Sequence, residues 1–162
     1  MKLTIVPFRG VGPIQFGMSR EEVRKTMPER AEPFRKNMFS LTDTDDFKDH
    51  RIHVFYSAQD DTAEAIEIWQ PAKPLLGGET LLDKPYAQLL KELQETDPDL
   101  EIENPGEVTS HRLGICVWAP TADSEPWRPA RSVLAFAKTY WDGFAEQRAD
   151  AVNTLLKRLG EQ

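Results

Sequence analysis

Apolar residues recur along this chain at two spacings, and each spacing marks a different kind of element. Over residues 51–56 and 63–69, Ile52, Val54, Ile66 and Ile68 alternate with polar or aromatic neighbours. That period of two predicts two strands with these four side chains on a common core face. The residues between them, Ser57 to Asp61, are turn formers, so the pair reads as a hairpin. The same alternation over residues 112–118 turns Leu113, Ile115 and Val117 inward. Further strand-like runs lie at residues 37–42, 99–103 and 131–137. The helical spacing appears in Leu89, Leu90 and Leu93, and again in Val152, Leu155, Leu156 and Leu159.

Local signals place the helix ends. Ser19 is the natural cap of a first helix, Glu22 three residues on closes a capping box, and Met18 can staple onto Val23. Pro28 ends that helix by Met27. A second helix is expected over residues 84–95, with Asp83 as cap and Pro85 tolerated in the first turn. A third runs over residues 144–159 with Gly160 behind it as a C-cap. Residues 70–78 have the proline and glycine density of a connector, and residues 119–129 read as a long loop of the kind that often carries function. The chain thus divides into a first helix-on-sheet unit at 1–70, a connector at 71–78, a second unit at 79–141 and a C-terminal helix at 142–162. The expected fold class is α+β: two tandem β-α-β-β-β units, each a helix packed on antiparallel sheet. The repetition lies in the order of elements rather than in the residues themselves.

Composition narrows the function. The chain has 162 residues, 40% hydrophobic and 29% charged, with a formal net charge of −7. That suffices for a packed core and is too balanced for a disordered chain. An acidic chain without a basic run is poorly suited to phosphate backbones, so no nucleic-acid partner is expected, and a basic protein partner suits it better. No apolar run is long enough to span a bilayer and no signal segment is evident, so a cytoplasmic location without membrane association is expected. Cys116 is the single cysteine, which excludes an internal disulfide or a multi-cysteine zinc site.

Reactive constellations are sparse. Cys116 and His111 are close in sequence but poorly aligned on one strand, so Cys116 reads as a small buried hydrophobe rather than a nucleophile. The acidic run Asp43, Asp45, Asp46 and Asp49, with His50 and His53, offers metal-ligand types without the spacing of a calcium loop or a helical zinc pair. It reads as a solvated acidic loop. No catalytic residue, metal or cofactor is therefore expected. Strand alternation instead turns Arg51, His53, Phe55, Glu67 and Trp69 away from the core in the first half, and Arg112, Cys116 and Trp118 in the second. Trp and Arg are enriched among binding hot spots, which makes Arg51, Phe55, Trp69, Arg112 and Trp118 the candidate partner-binding residues. The competing reading is that the half-sheets or the C-terminal helix cover this face and bury the tryptophans.

Residues 10–23, Gly-x-Gly-Pro-Ile-x-Phe-Gly-Met-Ser-x-Glu-Glu-Val, resemble the opening of a group of uncharacterised bacterial proteins. Their Gly-Met-Ser-x-x-Glu-Val core is similar to the helix start of β-lactamase-inhibitor-protein and BamE-like folds. In the inhibitor family two helix-plus-sheet repeats form a concave sheet that grips a protein. In size, acidity and lack of catalytic motif the chain also resembles polymorphic-toxin immunity proteins. These resemblances imply a non-enzymatic protein-binding module, an immunity-type inhibitor that occludes a toxin enzyme. Two alternatives stand beside it. One is a small-ligand binder or small enzyme with a pocket lined by Tyr140, Trp141, Trp118 and His111. The other is a structural subunit of a homo-oligomer.

Overall fold

A computed structural model describes residues 1–160, with side chains for all of these except 143–151. Three short strands, β1 (Ile5–Val6), β2 (Gly10–Val11) and β3 (Ile14–Gln15), form a small antiparallel sheet. Helix α1 (Arg20–Thr26) follows, then strands β4 (Glu32–Phe34), β5 (Thr44–Phe47), β6 (Ile52–Tyr56) and β7 (Ala63–Trp69). A small hairpin, β8 (Leu75–Leu76) with β9 (Glu79–Thr80), begins in the expected connector and ends just inside the expected second unit. The second half repeats the sequence of elements: helix α2 (Tyr86–Thr96), then β10 (Glu101–Asn104), β11 (Glu107–Ser110), β12 (Ile115–Trp118) and β13 (Ser132–Phe136). Helix α3 (Tyr140–Gly160) closes the described chain; Glu161 and Gln162 of the expected C-terminal unit lie outside the described residues.

The eight strands that follow α1 and α2 make one antiparallel sheet in the order β10-β11-β12-β13-β7-β6-β5-β4. The last strand of each half lies at the centre, where β13 pairs with β7 from Ser132↔Trp69 to Phe136↔Ala65. Four strands therefore follow each helix, not three. The expected strand at residues 37–42 is instead part of a loop between β4 and β5. Asn37 makes that segment turn, accepting a hydrogen bond at Oδ1 from Phe39 N (2.9 Å). Strand β11 was hidden because Glu107, Thr109 and Ser110 give it a polar reading, and only pairing on both edges makes it a strand.

One face of the sheet carries the core. Ile52, Val54, Ile66, Ile68, Val108, Ile115, Val117 and Val133 pack there against Val23 of α1, Leu89 and Leu93 of α2, and Ile5, Val11 and Ile14 of the small sheet. Helix α1 starts as its sequence dictates, with Ser19 Oγ accepting from Glu22 N at 3.1 Å. Helix α2 does not. Its cap position is Pro85, which offers no side-chain acceptor, and Asp83 is held by the Thr80 hydroxyl instead. The first N–H groups of α2 donate to the long loop: Tyr86 N to Arg128 O and Ala87 N to Pro126 O, both at 3.0 Å. The loop at 119–129 thus caps a helix with its own carbonyls, satisfying donors that a helix start always leaves free.

Candidate binding face

The opposite face of the sheet is ordered by strand register into rows. One row runs through directly opposed residues Asp46, His53, Glu67, Leu134, Cys116, Thr109 and Glu101. The next runs through Trp69, Ser132, Trp118 and Glu107. Across these rows four rings form a ladder. Phe34 stands edge-on to His53 at 5.0 Å between centroids, His53 lies 5.7 Å from Trp69, and Trp69 stands edge-on to Trp118 at 5.7 Å. Separations in this range suit edge-to-face aromatic pairs. The ladder is half-buried for most of its length and opens at Trp118, which is 38% exposed. Burial is the main reason the His53 imidazole titrates below the ordinary histidine range, with Asp46 and Glu67 opposing the shift.

The other end of the face is covered. Phe136 and Ala65 are fully buried there, and Phe136 packs with Tyr140, Trp141 and His111 at ring separations of 5.7–6.0 Å. Burial pushes the Tyr140 hydroxyl up to about 12. The start of α3 therefore seals the Phe136 end and leaves the Trp118 end of the ladder open. The proposed ligand-lining set is divided by this arrangement. Tyr140, Trp141 and His111 gather around Phe136, whereas Trp118 sits opposite Ser132, four residues or ~13 Å away along β13.

Of the five candidate binding residues, Phe55, Trp69 and Trp118 lie on this face. Arg51 lies just before β6 in a left-handed conformation (φ 59°), with its Nε donating to Gln70 O at 2.9 Å, beside Trp69. Arg112 does not join them. Strand β12 begins only at Ile115, because Gly114 turns left-handed (φ 66°) and breaks the alternation. Arg112 is left in the β11–β12 turn, donating from Nη1 to Thr96 O at the end of α2 (3.2 Å).

The acidic run is also placed differently from its sequence reading. Asp45 is on β5, wholly buried, and on the core side of the sheet. Its carboxylate takes Arg24 Nε and Nη2 at 2.9 and 2.8 Å, Arg20 Nη1 at 3.3 Å and the Tyr56 hydroxyl at 2.9 Å. Asp46 faces the other way, with Oδ1 3.4 Å from His53 Nε2. His50 belongs to a third environment, paired through Nδ1 with Glu29 at 2.6 Å. Alternation along one short strand separates ligand types that are adjacent in sequence. Among the described residues no cluster of three or more His, Cys, Asp or Glu side chains is arranged to hold a metal ion.

Beside the face stands a feature the strand-based reading missed. The β4–β5 loop exposes Met38 (87%), Phe39 (68%) and Leu41 (63%). Arg35 braces this loop, donating to Ser40 O and Asp43 Oδ1. The sequence signal was available: a run of apolar residues broken by Asn37 and Ser40 rather than alternating.

No protein-family model, curated protein or solved structure matches the chain. Among the described residues no helix is long and apolar enough to cross a membrane.

Proposed function

We propose that this chain is a non-enzymatic protein-binding module whose partner docks on the outer sheet face around Trp69 and Trp118. The observation that carries this reading is the aromatic ladder from Phe34 to Trp118, which is half-buried against the sheet and open at its tryptophan end. Large rings held rigid by their neighbours lose little entropy on binding, and these residue types dominate interface energetics. The braced loop with Met38, Phe39 and Leu41 adds apolar surface next to it.

The order of elements, a helix and four strands given twice and joined at β7–β13, supports reading the halves as related units of the kind found in β-lactamase-inhibitor proteins. Together with the acidic charge it supports an immunity-type role, in which the chain neutralises a basic toxin enzyme by covering its active site. Attraction between opposite net charges would speed encounter, and the aromatic anchors would slow release.

The test is affinity capture from the native source at low and high salt with the unaltered chain and with Trp118→Ala and Trp69→Ala. One protein retained by the unaltered chain and lost by the variants, and whose enzymatic activity the chain suppresses, is the expected result. Capture of nothing, or of a partner indifferent to both substitutions, overturns the reading.

A further inference from the structure

Two cations of this chain are gripped in the same way. Arg20 holds its guanidinium carbon 3.9 Å from the centroid of the Tyr56 ring while Nε and Nη2 donate to the two oxygens of Asp61 at 3.0 and 2.8 Å. Lys36 holds its ammonium 4.4 Å from the centroid of the Phe55 ring and 3.9 Å from Glu67 Oε2. In both, an aromatic face attracts the cation through its quadrupole and a carboxylate beside it supplies the opposite charge.

A third ring is set beside carboxylates at the open end of the ladder. Glu107 is directly opposite Trp118 in the β11–β12 pair, where side chains are neighbours. Glu103 lies at the irregularity of the edge strand β10, immediately before Asn104, whose register partner is Glu107. Burial is the larger cause of the raised Cys116 thiol, and Glu107, Glu103 and Glu67 all raise it further from nearby. Among the described residues no Lys, Arg or His pairs with Glu103 or Glu107, and Glu107 accepts only from Asn104 Nδ2 at 3.3 Å. Three cations around the face are matched with carboxylates, Lys36 with Glu67, Arg35 with Asp43 and Lys48 with Glu32, while Arg51, beside Trp69, donates to the Gln70 carbonyl. His111 already holds Glu101. Next to Trp118, the most exposed ring of the ladder, Glu107 is therefore a carboxylate without a cation among the described residues.

We infer that Trp118, Glu107 and Glu103 form a subsite for an arginine side chain of the protein partner, which lays its guanidinium on the indole and pairs with the two carboxylates. Arginine suits the subsite better than lysine, because its planar, weakly hydrated group stacks on a ring while its N–H groups remain free to donate sideways. The inference rests on the outer face being the docking surface, and it specifies what the partner must bring to one point of that surface.

The test follows the indole N–H signals of the four tryptophans in the nitrogen-15-labelled chain. The chain is titrated with N-acetylarginine amide and, separately, with N-acetylcitrulline amide, a neutral analogue of nearly the same shape. The Trp118 signal should move saturably with the arginine compound and weakly or not at all with citrulline. Glu103→Gln combined with Glu107→Gln should weaken the arginine response by about five- to tenfold, as expected for two partly exposed charge pairs. The other three indole signals report whether the variant is folded. An unmoved Trp118, an equal response to citrulline, or an unchanged response in the double variant overturns the subsite.

The two proposals fail separately. A captured partner that needs Trp118, in a chain whose Trp118 ignores arginine, leaves the docking face standing and removes the subsite. A Trp118 that responds to arginine, with capture indifferent to Trp118→Ala, does the reverse.

Discussion

Arg24 on α1 closes a two-point grip on Asp45 of β5, its Nε and Nη2 reaching the two carboxylate oxygens at 2.9 and 2.8 Å. The carboxylate is fully buried, while the Arg24 side chain is 42% exposed. The pair thus joins a helix to the sheet at the boundary between core and solvent. Desolvation of Asp45 is offset because four donors from Arg24, Arg20 and Tyr56 converge on it. Replacing Asp45 by Ala strands the Tyr56 hydroxyl and brings two guanidinium groups together without an anion between them. A loss of about 3 kcal/mol in denaturant unfolding is expected. Arg24→Met should cost less, because Arg20 and Tyr56 still satisfy Asp45. Equal losses for the two variants would show that the carboxylate is not the hub.

Glu64 gives the protein a distinctive pH response. It lies on β7, where the register shifts against β6, its carbonyl accepts from Ala137 N, and no cation among the described residues pairs with its carboxylate. Burial, aided by Asp60, raises its carboxyl to about 7. The unfolded chain ionises this group near its ordinary value of 4.5, so between those two values the folded state binds the extra proton. The contribution of Glu64 to stability therefore falls as pH rises from 4.5 through 7. With solvent screening the loss is about 1–2 kcal/mol. Glu64→Gln should be the more stable chain at pH 8, with the difference vanishing near pH 4. A difference independent of pH would contradict this.

The loop at 119–129 holds the start of α2 through backbone carbonyls, which separates its framework role from its side chains. Trp127 is 64% exposed, and Trp127→Ala should change stability by no more than about 0.5 kcal/mol. Shortening the loop so that Pro126 and Arg128 no longer meet Ala87 and Tyr86 should cost about 1–2 kcal/mol, as loss of a helix cap does. Thermal unfolding of the two variants side by side checks the contrast.

The two leucine-bearing helices should respond oppositely to truncation. Leu89 of α2 is 1% exposed and in the core, whereas Leu155 and Leu156 of α3 are exposed. Leu89→Ala should cost about 3 kcal/mol by transfer and cavity terms. Leu155→Ala and Leu156→Ala should each change stability by about 0.5 kcal/mol or less. Large losses at both α3 positions in dilute solution would mean that this stripe is covered.

The elements that were legible in the sequence are those whose stability is local. Ser19 caps α1 because its side chain reaches an N–H three residues away. The β6–β7 hairpin follows from the alternation of Ile52 and Val54 with Ile66 and Ile68. The same alternation turns Trp69 and Trp118 to the outward face, and both lie there. Arg112 failed for a local reason that a single glycine concealed: the left-handed Gly114 ends the pattern on which its placement relied. Strand β11 and the burial of Asp45 had no local signature. A polar segment becomes a strand when both its edges are paired, and a carboxylate enters the core only when two arginines from a distant helix accompany it.

By itself the sequence determined the two periodicities, the position of α1, the central hairpin, the α+β class and the acidic charge, because these depend on contacts within a few residues or on composition alone. Only the tertiary structure decided that β7 and β13 unite the halves into one sheet, that the long loop caps α2, that Asp45 is a buried hub, and that the rings from Phe34 to Trp118 form one ladder. Each of these joins residues far apart in the chain. Its stabilising contacts exist only after the connecting segments have been folded, so no short stretch of sequence carries the signal.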